Sequence, residues 1–246
     1  MIFLSNDKIA IRNALNTIDG SAFIREIIRL YLEAYGVDYD FAQFFLQVSD
    51  SEEGVTAVVF RYNMFVYALT GKEFDFNEIM PFLGGFSGCS VIADRIFEDS
   101  FDNSKVCYIF SKYGNKKTLP ENIRLVNDAK SISSLVAKDY DEEARMDFYL
   151  NTSHQLRHSL LRVAGYFCED KMVSTASTSD LSGKYSVITF VYTDEYFRGN
   201  GASSKVLSFL CEDESKEYLL MCEEHNIGFY EKCGFDQVST CLIVDL

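Results

Sequence analysis

The sequence predicts an α/β fold in which a mixed, mostly antiparallel sheet is flanked by helices, and it predicts two such domains in tandem. Segments with helical spacing of apolar residues alternate with short β-rich runs along the chain. With 246 residues, of which 48% are hydrophobic and 24% charged, the chain can build one large core or two ordinary ones. Only two prolines and fourteen glycines argue against long disordered linkers.

The first half of the chain predicts two helices, followed by a small sheet with one more helix. In the second helix, Phe23, Ile27 and Leu30 share one face. The pair Tyr62-Asn63 separates two β-rich runs and favours a tight hairpin. The predicted helices are 6–17, 21–35 and 77–83, and the predicted strands are 41–48, 55–61, 64–69 and 106–111, with a further apolar run near Val91.

A polar segment over residues 112–121, with turn-forming residues and the second proline, predicts a domain boundary. The predicted domains are therefore 1–115 and 122–246. In the second domain the predicted strands are 123–126, 162–169, 172–177, 185–193, 217–223 and 238–245, and the predicted helices are 131–139, 142–161, 202–211 and 227–232. This β-α-α-β-β-β-α-β-α-β order is typical of a mixed sheet with helices on its faces.

The formal net charge of −14 excludes nucleic-acid binding through a general basic surface. Affinity for phosphate backbones comes from clustered Lys and Arg, which are outnumbered in this chain. A negative field favours a cationic amine as a partner, and solubility alone also accounts for such a charge. An anionic ligand would need a site where the electrostatic potential is locally positive.

The seven cysteines form no disulfide framework, because their number is odd and the chain is long. No CxxC pair or ligand-spaced histidine accompanies them, so they predict buried thiols in a reducing compartment and no metal site.

The apolar start of the chain is too short for a signal sequence, and no run approaches the roughly 20 apolar residues that span a bilayer. We therefore expect a cytoplasmic protein with no membrane partner.

Residues 188–207 carry the most informative pattern in the chain. A β-rich run leads into the glycine turn Arg198-Gly199-Asn200-Gly201, and a helix follows at once. Glycines let backbone N–H groups approach a ligand closely, and a new helix adds unpaired donors and the positive end of its dipole. The pattern predicts an anion-binding site, with an ordinary strand-to-helix turn as the alternative.

A second motif follows downstream and runs from Asn226 through Tyr230 to Gly234 and Phe235. Together the two motifs resemble the two ends of the acyl-coenzyme A (acyl-CoA) site of the GNAT acetyltransferase superfamily. From residue 122 onwards the chain is similar to a single GNAT domain in length and in order of elements. Domain 1–115 has a similar order without either motif, which resembles a degenerate tandem copy.

The resemblance implies that acetyl-CoA is the cosubstrate and that the backbone from Arg198 to Ser203 holds its pyrophosphate. Strand 185–193 would pair with the pantetheine amides, and the N–H of Val191 or a neighbour would polarise the thioester carbonyl. The Arg198 side chain would add charge or brace the turn, and Ser203 departs from the Gly or Ala of the family pattern. The coenzyme-binding residues implied in this way are Phe190, Val191, Thr193, Arg198, Gly199, Asn200, Gly201, Ala202, Ser203 and Asn226.

The resemblance assigns Tyr230 as the general acid that protonates the departing thiolate after a primary amine attacks acetyl-CoA directly in a ternary complex. A phenol of pKa about 10 can donate to a thiolate whose acid lies near 8.5. In the alternative, the Tyr230 ring packs with Phe229 and Phe235 as core. The general base stays open among four carboxylates, which are Asp194, Glu195, Glu223 and Glu224.

Other patterns carry less information. His154 and His158 share one helical face, but Gln155 stands where a zinc protease motif requires Glu, so they are either a structural pair or part of the acceptor groove. The glycine-rich segment 84–88 lacks the Lys-Ser/Thr that follows in a phosphate loop, and Cys222 lacks the partner histidine that would activate it as a nucleophile.

Two other functions stay open. One is a non-catalytic acyl-CoA sensor or scaffold, and the other is an aminoacyl transferase that uses charged tRNA. The acidity of the chain disfavours the second.

Overall fold

The structure is a computed structural model that describes residues 1–49, 54–101, 104–116, 121–179, 181 and 183–246. The described chain divides into two compact units. The first unit comprises Met1–Ile109, Met221–Ile227 and Gln237–Leu246, and the second comprises Phe110–Leu220 and Gly228–Asp236. The domain boundary predicted near 112–121 stays a prediction, and its residues 117–120 lie outside the described part of the chain.

The first half of the chain contains strands and α-helices in the order β-α-α-β-β-β-α-β-β. The strands are β1 (Ile2–Leu4), β2 (Ala42–Val48), β3 (Val55–Tyr62), β4 (Phe65–Thr70), β5 (Ser90–Asp94) and β6 (Lys105–Tyr113). The α-helices are α1 (Lys8–Thr17), α2 (Ala22–Tyr35) and α3 (Phe76–Gly84).

The second half repeats this order with one additional helix before its last strand. Its strands are β7 (Ile123–Leu125), β8 (Leu161–Cys168), β9 (Lys171–Ser179), β10 (Tyr185–Thr193), β11 (Glu217–Cys222) and β12 (Asp236–Asp245). Its α-helices are α4 (Ala129–Val136), α5 (Glu142–Arg157), α6 (Ala202–Leu210) and α7 (Ile227–Lys232).

The first unit contains the sheet order β1-β2-β3-β4-β5-β12. The neighbouring strands are antiparallel except β4 and β5, which are parallel from Phe65↔Ser90 to Ala68↔Ala93. Ile79 and Leu83 of α3 are fully buried in the core on one face of this sheet, and Leu242 of β12 belongs to the same core. The last strand of the sequence therefore completes the first unit.

The second unit contains the sheet order β11-β10-β9-β8-β7. Strands β7 to β10 are antiparallel, whereas β10 and β11 are parallel. Helix α6 packs on β8 and β9 through its buried apolar side, and α4 packs on β9 and β10. Strand β6 contributes residues 105–109 to the first unit and residues 110–113 to the second.

The predicted mixed, mostly antiparallel α/β fold is confirmed, and most predicted elements lie within three residues of the observed ones. Two predictions were wrong. β1 was missed, because its three residues are too few to show a period. The helix predicted over 142–161 ends at Arg157, because Ser159 has a φ of 55° and the backbone N–H of Leu160 turns back to Gln155.

Candidate functional site

Strand β10 separates from β11 part-way along its length. The two strands are paired from Tyr185↔Glu217 to Val187↔Leu219, and beyond Val187 the described pairing of β10 is with β9 alone. The register with β9 shifts between Ile188 and Phe190, which makes Thr189 an extra residue in the strand. The later part of β10 therefore presents one backbone edge that pairs with no described strand, which is where an extended ligand could add hydrogen bonds.

The segment between β10 and α6 contains a sharp turn that only glycine adopts at low cost. Gly199 has a φ of 81° and Gly201 a φ of 73°, both in the left-handed region. A Cβ atom added at either position would meet no atom within 4 Å. These glycines are therefore required by backbone conformation, and the space in front of them is open to a ligand.

The backbone donors of this turn are unused. None of the N–H groups from Gly199 to Ser203 donates a hydrogen bond to another described residue, and Gly201 caps α6 without a side-chain acceptor. These donors lie at the positive end of the α6 dipole. The loop from Arg198 to Ser203 thus has the donor set and the dipole direction of an anion-binding site, as predicted for this type of turn.

The Arg198 side chain lies back on the strand that precedes it. Its Nε donates to the carbonyl oxygen of Thr193 at 3.3 Å, while the side chain stays exposed. The side chain thus contacts the last residue of β10, and both roles that the sequence left open for it stay predictions.

Three hydroxyl groups connect α6, β10 and β9 beneath the loop. Ser203 and Thr193 share a short hydrogen bond, and Thr193 Oγ1 lies 2.8 Å from Ser174 Oγ. Ser174 Oγ in turn donates to the carbonyl oxygen of Tyr192 at 3.0 Å. Ser174 is fully buried and was not singled out by its place in the sequence. The run of hydroxyl residues in β9 was the available signal.

The middle of β10 faces helix α5 with aromatic side chains. Phe190 and Phe148 meet edge to face with ring centroids 5.5 Å apart, and the ring centroid of Tyr140 lies 6.3 Å from that of Phe148. Phe190, Val191 and Tyr192 are all partly exposed. This part of the strand therefore has an aromatic surface beside its unpaired backbone edge.

Tyr230 lies in α7 and is surrounded by aromatic rings. It is 9% exposed, and its ring centroid lies 5.0 Å from that of Phe229, 6.0 Å from that of Phe235 and 6.3 Å from that of Phe110. The packing that the sequence offered as the alternative for this residue is therefore present. It holds the ring in place.

Asn226 belongs to the first unit, whereas Tyr230 belongs to the second. Asn226 ends a short 3₁₀ helix, its backbone N–H bonds the Glu223 carbonyl, and its side-chain nitrogen lies 3.0 Å from Nε2 of His225. The other predicted coenzyme residues, from Phe190 to Ser203, all lie in the second unit together with Tyr230.

Three of the four candidate base carboxylates are engaged in ion pairs. Lys105 lies 2.6 Å from Glu223, and its hydrogen bond lowers the pKa of that carboxyl group. Glu195 pairs with Lys138 at 3.5 Å, and buried Asp194 pairs with Lys171 at 3.8 Å. Glu224 is exposed and has no ion pair with another described residue.

The histidine pair and the cysteines show no catalytic arrangement. The rings of His154 and His158 lie 4.4 Å apart, and no group of three metal-ligating side chains exists among the described residues. Burial raises the pKa of Cys222 to about 11, which makes its thiol a poor nucleophile. Arg162, which lies shortly after α5 in the sequence, pairs with Glu212 at 2.5 Å.

Helices that could cross a membrane are absent from the described part of the chain.

Comparison with known proteins gives a family match in the second half of the chain. Residues 127–235 match the acetyltransferase (GNAT) family. The sequence matches none of the curated proteins with which it was compared.

Solved structures with similar folds extend over nearly the whole chain. A Drosophila protein of 9% identity has a TM-score of 0.70 and covers 99% of this chain and 98% of its own. A tandem GNAT protein from the clavulanic acid biosynthesis pathway has 11% identity, a TM-score of 0.61 and coverages of 99% and 97%. A GCN5-related N-acetyltransferase from Sphaerobacter thermophilus has 14% identity, a TM-score of 0.57 and coverages of 99% and 94%.

At these identities the likeness establishes the fold. The predicted GNAT resemblance is confirmed for the second half by the family match, and the fold of the whole chain is consistent with two GNAT domains in tandem.

Proposed function

Because the chain carries a GNAT acetyltransferase domain at residues 127–235, we propose that it is an N-acetyltransferase that uses acetyl-CoA. The acetyl group passes to a primary amine by direct attack in a ternary complex. We assign this activity to domain 122–246 and a supporting role to domain 1–115. The observation that carries the proposal is the row of unused backbone N–H groups from Gly199 to Ser203 at the start of α6.

The residues present fit the coenzyme at two places. The loop N–H groups and the α6 dipole suit the doubly charged pyrophosphate, and the open space at Gly199 and Gly201 admits it without a steric conflict. The unpaired edge of β10 beyond Val187 suits the amides of the pantetheine arm. This loop supplies the locally positive potential that an anionic ligand needs in a chain of net charge −14.

Acetyl-CoA, when bound, supplies an acyl group activated as a thioester. Backbone N–H groups of β10, from Val191 or a neighbour, would polarise the carbonyl oxygen. Such stabilisation of developing negative charge is commonly worth about 3 kcal/mol. The extra residue Thr189 changes the direction of the strand at this point, which supports a role in aiming those donors.

Tyr230 would donate its hydroxyl proton to the sulfur as the coenzyme thiolate departs. The rings of Phe229, Phe235 and Phe110 hold its side chain in one orientation, which supports a positioned acid. The attacking amine has to be neutral, so its proton leaves through water to a carboxylate at the site. Asp194, Glu195, Glu223 and Glu224 are the candidates.

The first experiment is calorimetric titration of the purified protein with acetyl-CoA. We expect a dissociation constant between about 1 μM and 1 mM, the usual range for enzyme substrates. Gly201→Trp should abolish binding by filling the space before the loop. Gly88→Trp is the matched control, because Gly88 has a φ of 78° and equally open surroundings but lies in the first unit.

If both glycine variants bind as the parent does, or if the parent does not bind, the proposed coenzyme site is wrong. If binding depends on Gly201 alone, the next step is a panel of primary amines. Transfer would be read as acetylated product and free CoA by mass spectrometry.

A non-catalytic acyl-CoA-binding protein is the second candidate. One observation favours it: three of the four candidate bases are held in ion pairs. Binding that depends on Gly201, without acetylation of any amine in the panel, would support this alternative over the enzyme.

A further inference from the structure

We propose that Ser203, Thr193 and Ser174 act as positioning residues for the anion-binding loop, with Thr193 fastening the loop at two points. The proposal rests on the proposed function, because the ligand of the loop is taken to be the pyrophosphate of acetyl-CoA. None of the three side chains is required to touch that ligand.

The direction of each hydrogen bond among these three side chains follows from counting the protons of their hydroxyl groups. A hydroxyl group has one proton to donate. Ser174 uses its proton on the carbonyl oxygen of Tyr192, so it accepts from Thr193. Thr193 has then used its own proton and accepts from Ser203. The proton of Ser203 is therefore directed at the hydroxyl oxygen of Thr193.

Thr193 is the fixed point of the loop because it bonds to the first and to the last residue of it. Its carbonyl oxygen accepts from Nε of Arg198 at 3.3 Å, and its hydroxyl accepts from Ser203 in the first turn of α6. The next residue, Asp194, anchors the segment that leads into the loop by donating its backbone N–H to the carbonyl oxygen of Val173 on β9 at 2.9 Å. Fully buried Ser174 then connects this arrangement to the sheet.

This arrangement explains how a serine can stand where the family pattern has Gly or Ala. A serine hydroxyl facing the ligand would present either a competing donor or oxygen lone pairs to a phosphate. With its hydroxyl bonded to Thr193, Ser203 leaves its backbone N–H available and adds a bond that holds the loop in its binding conformation. A loop held in its bound conformation loses less entropy when the ligand binds.

The test compares two ligands with matched variants. Acetyl-CoA contains the pyrophosphate, whereas S-acetylpantetheine lacks it and reaches only the strand. Ser174→Ala and Thr193→Val should each weaken acetyl-CoA binding about tenfold, as expected for the loss of one hydrogen bond in a preorganised site. Binding of S-acetylpantetheine should stay within about twofold, which is the error of such comparisons.

Two further variants keep the test specific. Thr193→Ser retains the hydroxyl and should restore binding. Thr175→Val removes a buried hydroxyl from the same strand, one that bonds Ala164 at 2.9 Å instead of the loop, and should change neither affinity. In steady-state kinetics the KM for acetyl-CoA should rise in Ser174→Ala while kcat stays unchanged.

Hydrogen exchange without ligand separates this proposal from the proposed function. The bonded amides that flank the loop, those of Asp194 and Lys205, should exchange faster in Ser174→Ala than in the parent or in Thr175→Val. Equal exchange in the three proteins, or an equal loss of affinity for both ligands, would overturn the positioning role. Failure of the parent to bind acetyl-CoA would refute the proposed function, and the exchange result would still decide whether the hydroxyl chain holds the loop.

Discussion

Lys112 donates a 2.7 Å hydrogen bond to the carbonyl oxygen of Cys233, the residue that directly follows the helix carrying Tyr230. Its Nζ also lies 5.3 Å from the ring centroid of Phe235, which contacts Tyr230. A positive charge at the C-terminal end of a helix is favourable, because the carbonyl groups there lack partners. Lys112 therefore fixes the end of α7 from which the proposed acid projects.

Replacing Lys112 tests whether this contact positions Tyr230. Lys112→Met should lower kcat several-fold with unchanged affinity for acetyl-CoA, because the coenzyme loop lies on other elements. The free energy of unfolding should fall by about 1 kcal/mol, the usual value of such a bond. Exposed Lys116→Met is the control and should leave both quantities unchanged. An unchanged kcat in Lys112→Met would show that α7 is positioned without it.

Tyr230→Phe removes the proposed acid and keeps the ring. We expect kcat to fall by about 10² to 10⁴, the range for loss of general acid catalysis, because the thiolate then departs unprotonated. Calorimetry should show acetyl-CoA affinity within about twofold of the parent, since the aromatic packing is retained. Tyr196→Phe is the control, because Tyr196 is 84% exposed. Full activity in Tyr230→Phe would assign the proton transfer to another group.

The chain should bind one acetyl-CoA, and the site should be in the second unit. In the first unit the parallel strands β4 and β5 stay paired up to Ala68↔Ala93, so no backbone edge opens between them. The helix that follows, α3, is capped by Asp75, whose carboxylate accepts from the N–H groups of Asn77 at 2.9 Å and Glu78 at 3.2 Å. A fixed negative charge thus occupies the donors that an anion would use.

Stoichiometry from calorimetry or native mass spectrometry checks this prediction. One molecule bound per chain is the expected result, and Gly201→Trp should reduce it to none. Two molecules bound per chain would contradict the prediction, because the first unit would then also bind acetyl-CoA despite its paired strands and its capped helix.

Asp94 predicts a pH dependence of stability. Burial raises the pKa of this carboxyl group from 3.8 to about 6, although a hydrogen bond from Thr70 acts in the opposite direction. The folded protein therefore holds this proton more tightly than the unfolded chain. Stability is lost as the pH rises from about 4 to 6, and the loss persists at higher pH.

Asp94→Asn should remove this loss. At pH 8 the variant should be more stable than the parent by roughly 1 to 3 kcal/mol, and the difference should shrink towards zero near pH 4. Urea unfolding at a series of pH values measures it, with exposed Asp99→Asn as the control. A pH-independent difference would mean that the substitution acts through packing and not through ionisation.

Local sequence patterns predicted the elements that build the candidate site. Strand 185–193 and helix 227–232 were predicted with the observed bounds, because a β-rich run and a compact motif mark them without reference to the rest of the chain. The glycine turn was predicted for the same reason, since the positive φ values at Gly199 and Gly201 follow from residue type.

Features that depend on residues far apart in the sequence could not be predicted in this way. The end of α5 carries no Gly or Pro, so the left-handed conformation of Ser159 had no local signal. Ser174 is one of several hydroxyl residues in β9, and only pairing with β10 brings it to Thr193. The pairing of β12 with β5 joins residues such as Cys241 and Asp94 and is likewise invisible to periodicity.

That last pairing determines the order in which the protein can be completed during synthesis. β12 follows residues 110–220 in the sequence but fills a place in the sheet of the first unit. As the chain leaves the ribosome, residues 1–109 emerge with an open sheet edge beside β5, and that edge stays uncovered until the second unit has been translated. An uncovered edge invites pairing with another chain. The sheet of the first unit is therefore complete only once β12 has been translated, and the edge of β5 can pair with a wrong strand for as long as residues 110–235 take to emerge.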